Sequence, residues 1–220
     1  MIFEQIVTGG CLSYLVGCPE TCIGALIDPE VSQVDRYLAL ASRDGVRIRY
    51  VVDTHTHADH FSASRLIARR VDALTVMYRD SPSPAVDLRV DDGDLLKVGN
   101  LRLQVMHTPG HTRDSICLIA GDRVFTGDTL LIGATGRTDL PSGDSRTLHD
   151  SLFNRLLKLD PSLLVYPAHD YKGRTHSTLA DEIAANPRLQ AREVAAFVEM
   201  MDTLNLSLPT HVTEALRTNM

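Results

Sequence analysis

Apolar residues in this chain recur with two periods, and the period changes along the sequence. Three strand-like runs come first, separated by turn residues: IFEQIV, LSYLVG and IGALID. Apolar residues at helical spacing follow and continue through Ser42. The next strand, IRYVVDT, leads directly into THTHADHF, and residues 62–70 are predicted to form a short helix.

The second half of the chain repeats this order of elements. Residues 73–127 contain only strand-like runs, and residues 128–144 are predicted to be a loop rich in Gly and Asp. Helical spacing returns over 145–158, the strand LLVYPAH follows, and helical segments occupy 178–204 before a closing loop and short helix. Two strand-rich halves that each end in helices predict an α/β fold, an αββα sandwich of two stacked sheets flanked by helices. We expect one domain over residues 1–220, with 175–220 as a helical C-terminal extension packed on it.

Charge and hydropathy argue against several classes of function. The net charge is −6 and no run of Lys or Arg is present, so we expect no binding to nucleic acid. No apolar stretch reaches the roughly 18 residues of a transmembrane helix, so no membrane span is expected. The N-terminal sequence MIFEQIVTGG lacks the basic region of a secretory signal, which predicts a cytoplasmic location.

The four cysteines do not form a zinc-binding pattern. Cys18 and Cys22 are close together in GCPETC, which indicates either a turn with two ordinary thiols or a local disulfide or redox pair. Cys117 lies within the strand SICLIA and is predicted to pack in the core.

The residues that indicate chemistry follow strands. Three histidines and an aspartate occur within six positions directly after the strand IRYVVDT; these are His55, His57, Asp59 and His60. A loop at a strand end can direct neighbouring side chains toward one point, and imidazole and carboxylate groups hold zinc, iron or manganese.

Three further candidates share this position at the end of a strand. His111 lies in TPGHT, Asp128 in FTGDT and His169 in YPAHD, each directly after an apolar strand. The repeated placement predicts that all seven side chains belong to one metal centre.

In this order, HTHADH, TPGHT, TGDT and PAHD resemble the metal-binding motifs of the metallo-β-lactamase superfamily. The resemblance implies that His55, His57 and His111 form one metal position. It implies that Asp59, His60 and His169 form a second, and that Asp128 reaches both. The full set is that of a binuclear zinc hydrolase, in which a metal-held hydroxide attacks a polarised carbonyl.

Other segments resemble the persulfide dioxygenases of this superfamily. They are MIFEQ, IDP, TGDTLLIGATGRTDLPSGD, YPAHDYKGRTHST, ANPRL and the ending NLSLP…NM. This resemblance implies one Fe(II) per chain, bound by His55, His111 and Asp128, with three positions open for O₂ and substrate. His57, Asp59, His60 and His169 would then orient ligands and water, although they remain potential ligands of a second metal.

The implied reaction converts glutathione persulfide, O₂ and water to sulfite and glutathione. Glutathione carries two carboxylates, so the site should offer cations and hydrogen-bond donors. The candidates are Arg137, Tyr171, Lys172 and Arg217. Each could instead have a structural or surface role, and for Arg137 that alternative is an ion pair with Asp139 that holds its loop. A homodimer is implied by the resemblance alone.

The alternative function is a binuclear zinc hydrolase of glyoxalase II type that acts on glutathione thioesters. Members of that family normally carry a longer helical C-terminal domain that holds the substrate. Only about fifty residues follow His169 in this chain, which favours the dioxygenase.

Overall fold

The first sheet is built from the N-terminal strands. The computed structural model describes residues 1–207 and 212–220. Within them, six strands form this sheet in sequence order: β1 (Ile2–Thr8), β2 (Cys11–Gly17), β3 (Ile23–Ile27), β4 (Arg47–Val52), β5 (Leu74–Tyr78) and β6 (Leu88–Val90). The β1–β2 and β2–β3 pairs are antiparallel, and β3 to β6 are parallel.

The second sheet has six strands in the described part of the chain, in the order β14-β13-β10-β9-β8-β7. Its strands are β7 (Leu95–Val98), β8 (Leu101–His107), β9 (Ile116–Ala120), β10 (Arg123–Gly127), β13 (Leu164–Pro167) and β14 (Ser177–Thr178). The strands β11 (Leu130–Leu131) and β12 (Ala134–Thr135) form a separate hairpin.

Helices cover the outer face of each sheet. Helices α1 (Val34–Arg43) and α2 (Ser64–Val71) pack on the first sheet, where Leu26 and Val51 lie in the same apolar cluster as Tyr37 and Ile67. On the second sheet lie α3 (Ser145–Asp150) with its π and 3-10 continuation to Lys158, then α4 (Leu179–Ala185) and α5 (Val194–Asp202). A last helix, α6, spans Val212–Asn219.

Between the sheets lies the third apolar cluster, which contains Tyr14, Val52, Leu103 and Phe125. Alternation of apolar residues in β2, β4 and β8 directs one face inward to this cluster. The predicted αββα sandwich is therefore confirmed, with helices outside and two mixed sheets inside.

The main difference from the predicted elements lies in residues 128–144. This segment contains the β11–β12 hairpin rather than loop alone, with Gly133 in the left-handed region at φ +64°. Strands of two residues are too short to show a period of two, so the pattern of apolar residues could not reveal them. The same reason applies to β14. Part of the predicted closing loop, residues 208–211, lies outside the described residues.

None of the helices described here is both long enough and apolar enough to cross a membrane.

Candidate metal centre

The candidate ligands leave the two sheets at one edge. His55 to His60 follow β4 of the first sheet. In the second sheet, β8, β10 and β13 run in the same direction, because β9 is antiparallel to β8 and β10 while β13 is parallel to β10. Their carboxyl ends therefore lie together, and they are followed by His111, Asp128 and His169.

Backbone contacts hold the two sheets together at this edge. The Ile116 N–H donates to the Thr54 carbonyl at 2.8 Å, and the Leu12 N–H donates to the Ala168 carbonyl at 2.7 Å. Cys11 also forms a β-bridge with His169. The loops that carry the histidines are thus fixed relative to one another by the sheets.

Two glycines make the close approach of these loops possible. Gly127 has φ +52°, and a Cβ atom there would lie 2.6 Å from Thr54 Oγ1. A Cβ atom on Gly136 would lie 2.1 Å from the Asp128 carbonyl oxygen and 2.9 Å from the His111 ring. A larger side chain would displace Thr54, which orients His55, at position 127, and would displace Asp128 or His111 at position 136.

Three of the seven candidates assemble into one group. His55, His111 and Asp128 each offer a ligand atom, and these atoms lie within 4.8 Å of one another. His111 Nε2 is 3.5 Å from Asp128 Oδ2. Two imidazoles and one carboxylate facing a common point are a ligand set suited to iron or zinc.

Hydrogen bonds fix which nitrogen of each ring faces that point. The Thr54 hydroxyl donates to Asp28 Oδ2 at 2.9 Å, so its oxygen accepts from His55 Nδ1–H at 3.0 Å. His111 Nδ1–H donates to the Arg137 carbonyl at 2.7 Å. In both rings the lone pair is therefore on Nε2, as a metal ligand requires.

His55 Nε2 gives the test of whether a metal fits. This atom is buried and has no hydrogen-bond partner among the described residues. Burial, with repulsion from His57, lowers the pKa of His55 to about 3, so the ring is neutral. A buried nitrogen with a free lone pair is costly unless it has a partner, and a metal ion supplies one.

The second group consists of Cys11, Asp59, His60 and His169, and its members bond to one another. His169 lies between two carboxylates: Nδ1 is 2.6 Å from Asp128 Oδ1 and Nε2 is 2.7 Å from Asp59 Oδ2. His60 Nδ1 is 3.2 Å from Asp59 Oδ2. Asp128 thus contacts both groups, through a different oxygen for each.

Asp59 of this second group and Asp128 of the first balance the charges of His60 and His169. Burial opposes charge on His169, but Asp128 and Asp59 raise its pKa well above the ordinary value. Burial likewise opposes charge on His60, but hydrogen bonds with Asp59 and Cys11 raise its pKa to about 10. The pKa values of Asp59 and Asp128 are held below the ordinary range, against burial, chiefly by His169.

His57 faces two carboxylates through Nε2 and leaves Nδ1 buried without a hydrogen-bond partner among the described residues, so its place in a metal position stays a prediction. Its Nε2 is 3.2 Å from Asp28 Oδ1 and 3.9 Å from Asp53 Oδ1. Asp28 directly follows β3 in a left-handed backbone conformation (φ 49°), and its Oδ1 accepts from the Thr54 N–H at 2.7 Å. Asp28 therefore contacts His57 directly and His55 through Thr54, a support that sequence reasoning missed.

A cavity of about 390 Å³ opens beside the metal ligands. His111, Asp128, Asp59 and His169 lie at one side of it, and the β11–β12 hairpin contributes Leu131, Ala134 and Thr135. The other lining residues are Ala58, Gly136, Arg137, Leu140, Tyr171, Arg188, Leu206 and Ser207. The walls are mostly apolar with a few polar groups, as in most small-molecule sites.

The four predicted substrate-binding residues do not all reach this cavity. Arg137 and Tyr171 line it, and the exposed Tyr171 ring stacks on His169 at 6.0 Å between centroids. Lys172 is exposed beside the cavity and does not line it. Arg217 is on the exposed side of α6, because the buried side of that helix is set by Ala215, and it is not among the described residues that line the cavity.

Arg137 is held in place by its own loop. Its Nε and Nη2 donate to Asp139 at 2.6 and 2.7 Å, and Nη1 donates to the Ser207 carbonyl at 2.7 Å. The structural role predicted as an alternative is therefore present. Arg137 nevertheless lines the cavity, and its carbonyl accepts the hydrogen bond that orients His111.

Arg188 is a cavity residue that sequence reasoning missed. It is half-buried, and its Nη1 donates to the carbonyl and hydroxyl of Thr135 at 2.7 and 3.2 Å. Within the described residues it has no carboxylate partner, and burial lowers its pKa. In the sequence, Arg188 was marked only by its place in the segment ANPRL, which resembles the persulfide dioxygenases.

The metallo-β-lactamase superfamily model matches residues 6–169, which include all seven candidate ligands. The chain therefore belongs to the metallo-β-lactamase superfamily. It is 36% identical over 210 residues to the mitochondrial persulfide dioxygenase ETHE1 of Homo sapiens. That alignment covers 94% of this chain and 82% of the human protein. Within the superfamily the chain is thus a member of the persulfide dioxygenase family of oxidoreductases.

Two other comparisons bear on the site. The crystal structure of ETHE1 from Myxococcus xanthus matches with a TM-score of 0.97 and 41% identity, covering 100% of this chain and 98% of that one. A hydroxyacylglutathione hydrolase of Polaromonas sp. is 34% identical over 192 residues, covering 83% of this chain and 72% of the hydrolase.

Proposed function

We propose that the chain is a mononuclear Fe(II) dioxygenase that oxidises glutathione persulfide. One persulfide, one O₂ and one water give sulfite, glutathione and two protons. The sulfur–sulfur bond breaks, the inner sulfur leaves as the thiol of glutathione, and the outer sulfur gains three oxygen atoms. The persulfide loses four electrons in total, and these reduce O₂. The family relationship supports the reaction type, and the choice of iron and of glutathione is our inference.

The observation that carries this proposal is the contrast between the two ligand groups. His55 and His111 present Nε2 lone pairs beside Asp128, and their Nδ1 atoms are already engaged. In the second group, His169 uses both ring nitrogens to contact carboxylates. A second metal held by either ring nitrogen would have to displace the proton there and break that hydrogen bond, which favours one metal per chain.

His55, His111 and Asp128 would hold the iron. When bound, the iron would supply open coordination positions for the reaction of a thiolate-like sulfur with O₂, and the net electrons come from the sulfur. The protein residues fix the orientation of both imidazoles: Thr54 and Asp28 orient His55, and the Arg137 carbonyl orients His111. His169, between Asp128 and Asp59, is placed to hold a proton beside the ligand carboxylate.

The cavity suits an anionic peptide such as glutathione. Arg188 is a half-buried guanidinium without a carboxylate partner among the described residues, so it is available to bind a substrate carboxylate in a bidentate contact. The apolar hairpin residues Leu131 and Ala134 can contact the methylene groups. We propose Arg188 and Tyr171, with Arg137 as structural support, as the substrate-binding residues.

A second candidate is the binuclear zinc hydrolase of glutathione thioesters. One structural feature favours it: His57 Nδ1 and His60 Nε2 are also buried without hydrogen-bond partners among the described residues. These two nitrogens could contribute to a second metal position. The hydrolase similarity noted above is consistent with this alternative.

Metal replacement separates the two functions. Metal-free protein is loaded with either Fe(II) or Zn(II), and each form is given glutathione persulfide or a glutathione thioester. We expect O₂ consumption and sulfite only from the iron form with persulfide. Rapid thioester cleavage by the zinc form, with no O₂ consumption by the iron form, would overturn the proposal.

The cytoplasmic location and the homodimer stay predictions. The mammalian relatives are named as mitochondrial proteins.

A further inference from the structure

The last helix contacts the loop that carries the metal-ligand motif. Asn219 ends α6, and its side-chain Nδ2 donates to the carbonyls of His57 and His60 at 2.9 and 2.8 Å. Its Oδ1 accepts from the Ser62 N–H at 3.1 Å. One amide therefore spans the segment from His57 to Ser62, about 160 residues away in the sequence.

This segment has little regular structure of its own. Residues 53–61 form neither helix nor strand, and Ser62 makes only an isolated bridge to Glu30. Its conformation depends on contacts from elsewhere, because a loop without a backbone ladder has many conformations of similar energy. Asp53 contacts the Ser62 hydroxyl at one end, and Asn219 contacts both ends.

The chemistry of the contact requires an amide. Two carbonyls need donors and one N–H needs an acceptor, and the Asn side chain offers two N–H groups and one oxygen in a plane. Aspartate has the same size but no donor, so it would face two carbonyl oxygens with its negative charge. Alanine removes all three hydrogen bonds.

We propose that Asn219 is a positioning residue for the metal centre, and that docking of α6 is coupled to metal binding. The inference rests on the proposed metal site but not on the metal being iron or on the reaction. Fixing the His57–Ser62 segment sets the position of Asp59, which bonds His169, and His169 in turn bonds the metal ligand Asp128. Because coupling between two binding events is reciprocal, a bound metal also stabilises α6 in its docked position.

Titration with Co(II) tests the first part, because its absorption spectrum reports ligand geometry whichever metal is native. Metal-free wild-type protein is compared with Asn219→Ala, Asn219→Asp and the matched control Thr218→Ala. Thr218 is the adjacent exposed residue, and among the described residues its hydroxyl bonds only to the Glu214 carbonyl of the same helix. We expect both Asn219 variants to bind Co(II) about 10–100-fold more weakly, with an altered spectrum, and Thr218→Ala to match the wild type.

Hydrogen exchange of the unmodified chain tests the second part and does not depend on a variant that folds. We expect Zn(II) to slow amide exchange in residues 212–220 as well as around the ligands. Unchanged Co(II) affinity and spectrum in Asn219→Ala, or exchange in 212–220 that ignores Zn(II), would overturn the proposal. Wild-type protein that binds the metals but lacks dioxygenase activity would overturn the proposed function and leave this inference standing.

Discussion

The two oxygens of Asp128 have different partners, and this difference organises the whole site. Oδ2 faces His111 in the three-ligand group, and Oδ1 accepts a hydrogen bond from His169 Nδ1–H. The carboxylate is therefore both the anionic ligand and the connection to the charged second group. Its neighbour Gly127 allows this position because it adopts φ +52°.

Replacing Asp128 with Asn should remove the metal. The amide keeps the shape but loses the negative charge, and two neutral imidazoles alone hold Fe(II) weakly. We expect the iron content to fall at least about tenfold, with the far-UV circular dichroism spectrum unchanged. The control is Asp122→Asn, whose exposed carboxylate pairs only with the adjacent Arg123. Iron retained at the wild-type level would remove Asp128 from the ligand set.

Replacing Arg188 with Ala should raise KM for glutathione persulfide. A charge-assisted contact with a substrate carboxylate contributes about 1.5–3 kcal/mol, so an increase of about 10–150-fold is expected, with kcat changed far less. Arg217→Ala provides the comparison, since this exposed arginine lies outside the cavity lining. If Arg217→Ala raises KM and Arg188→Ala does not, the assignment from the structure is wrong.

The sequence predicted the site residues that directly follow strands. It did not predict the residues that contact the site loop from remote positions in the chain. His111, Asp128 and His169 each follow an apolar strand, so their convergence could be inferred from the sequence. Asp28 and Asn219 support the same loop, but their contacts span more than 25 and 150 residues of sequence, respectively. Such pairings depend on how the elements pack, which periodicity does not encode.

At the level of elements, the β11–β12 hairpin forms the cavity wall and is held by α4 and the turn after it. The buried Glu182 accepts from the Gly133 N–H and from Asn186 Nδ2, at 2.8 and 2.7 Å. Asn186 Nδ2 also donates to the Ala134 carbonyl at 2.9 Å. The two polar side chains satisfy hairpin groups that would otherwise be buried without partners.

Asn186→Ala should therefore destabilise the protein and loosen the hairpin. Loss of the buried amide leaves Glu182 and the Ala134 carbonyl short of a donor, which costs about 1–3 kcal/mol. Denaturant titration measures this loss as a decrease in the free energy of unfolding. Asn154→Ala is the matched control, because the exposed Asn154 bonds only Asp150 in its own helix. Equal effects of the two substitutions would contradict the role of Asn186.

At the level of the whole molecule, the C-terminal residues share a core with the second sheet. Phe197 and Met201 of α5 lie in the same buried cluster as Val124 and Val165. The Phe197 ring meets His149 and Phe153 edge-on. This packing supports the proposal that residues 175–220 fold together with the rest of the chain.

Phe197→Ala should lower the stability of the entire chain. Truncating a buried phenylalanine costs about 3–5 kcal/mol, and we expect one cooperative transition at lower denaturant. Leu95→Ala, at a side chain that is 49% exposed, should have little effect. Two separate transitions in the variant would indicate that the C-terminal part unfolds on its own.

The most direct test of one iron per chain is elemental analysis combined with O₂ uptake. The protein is purified without chelators or histidine tags, its metals are counted, and glutathione persulfide is then added. We predict about one iron per chain, with O₂ consumed and sulfite formed in equal amounts. About two zinc ions per chain, with no O₂ uptake, would contradict the mononuclear iron site and the dioxygenase function together.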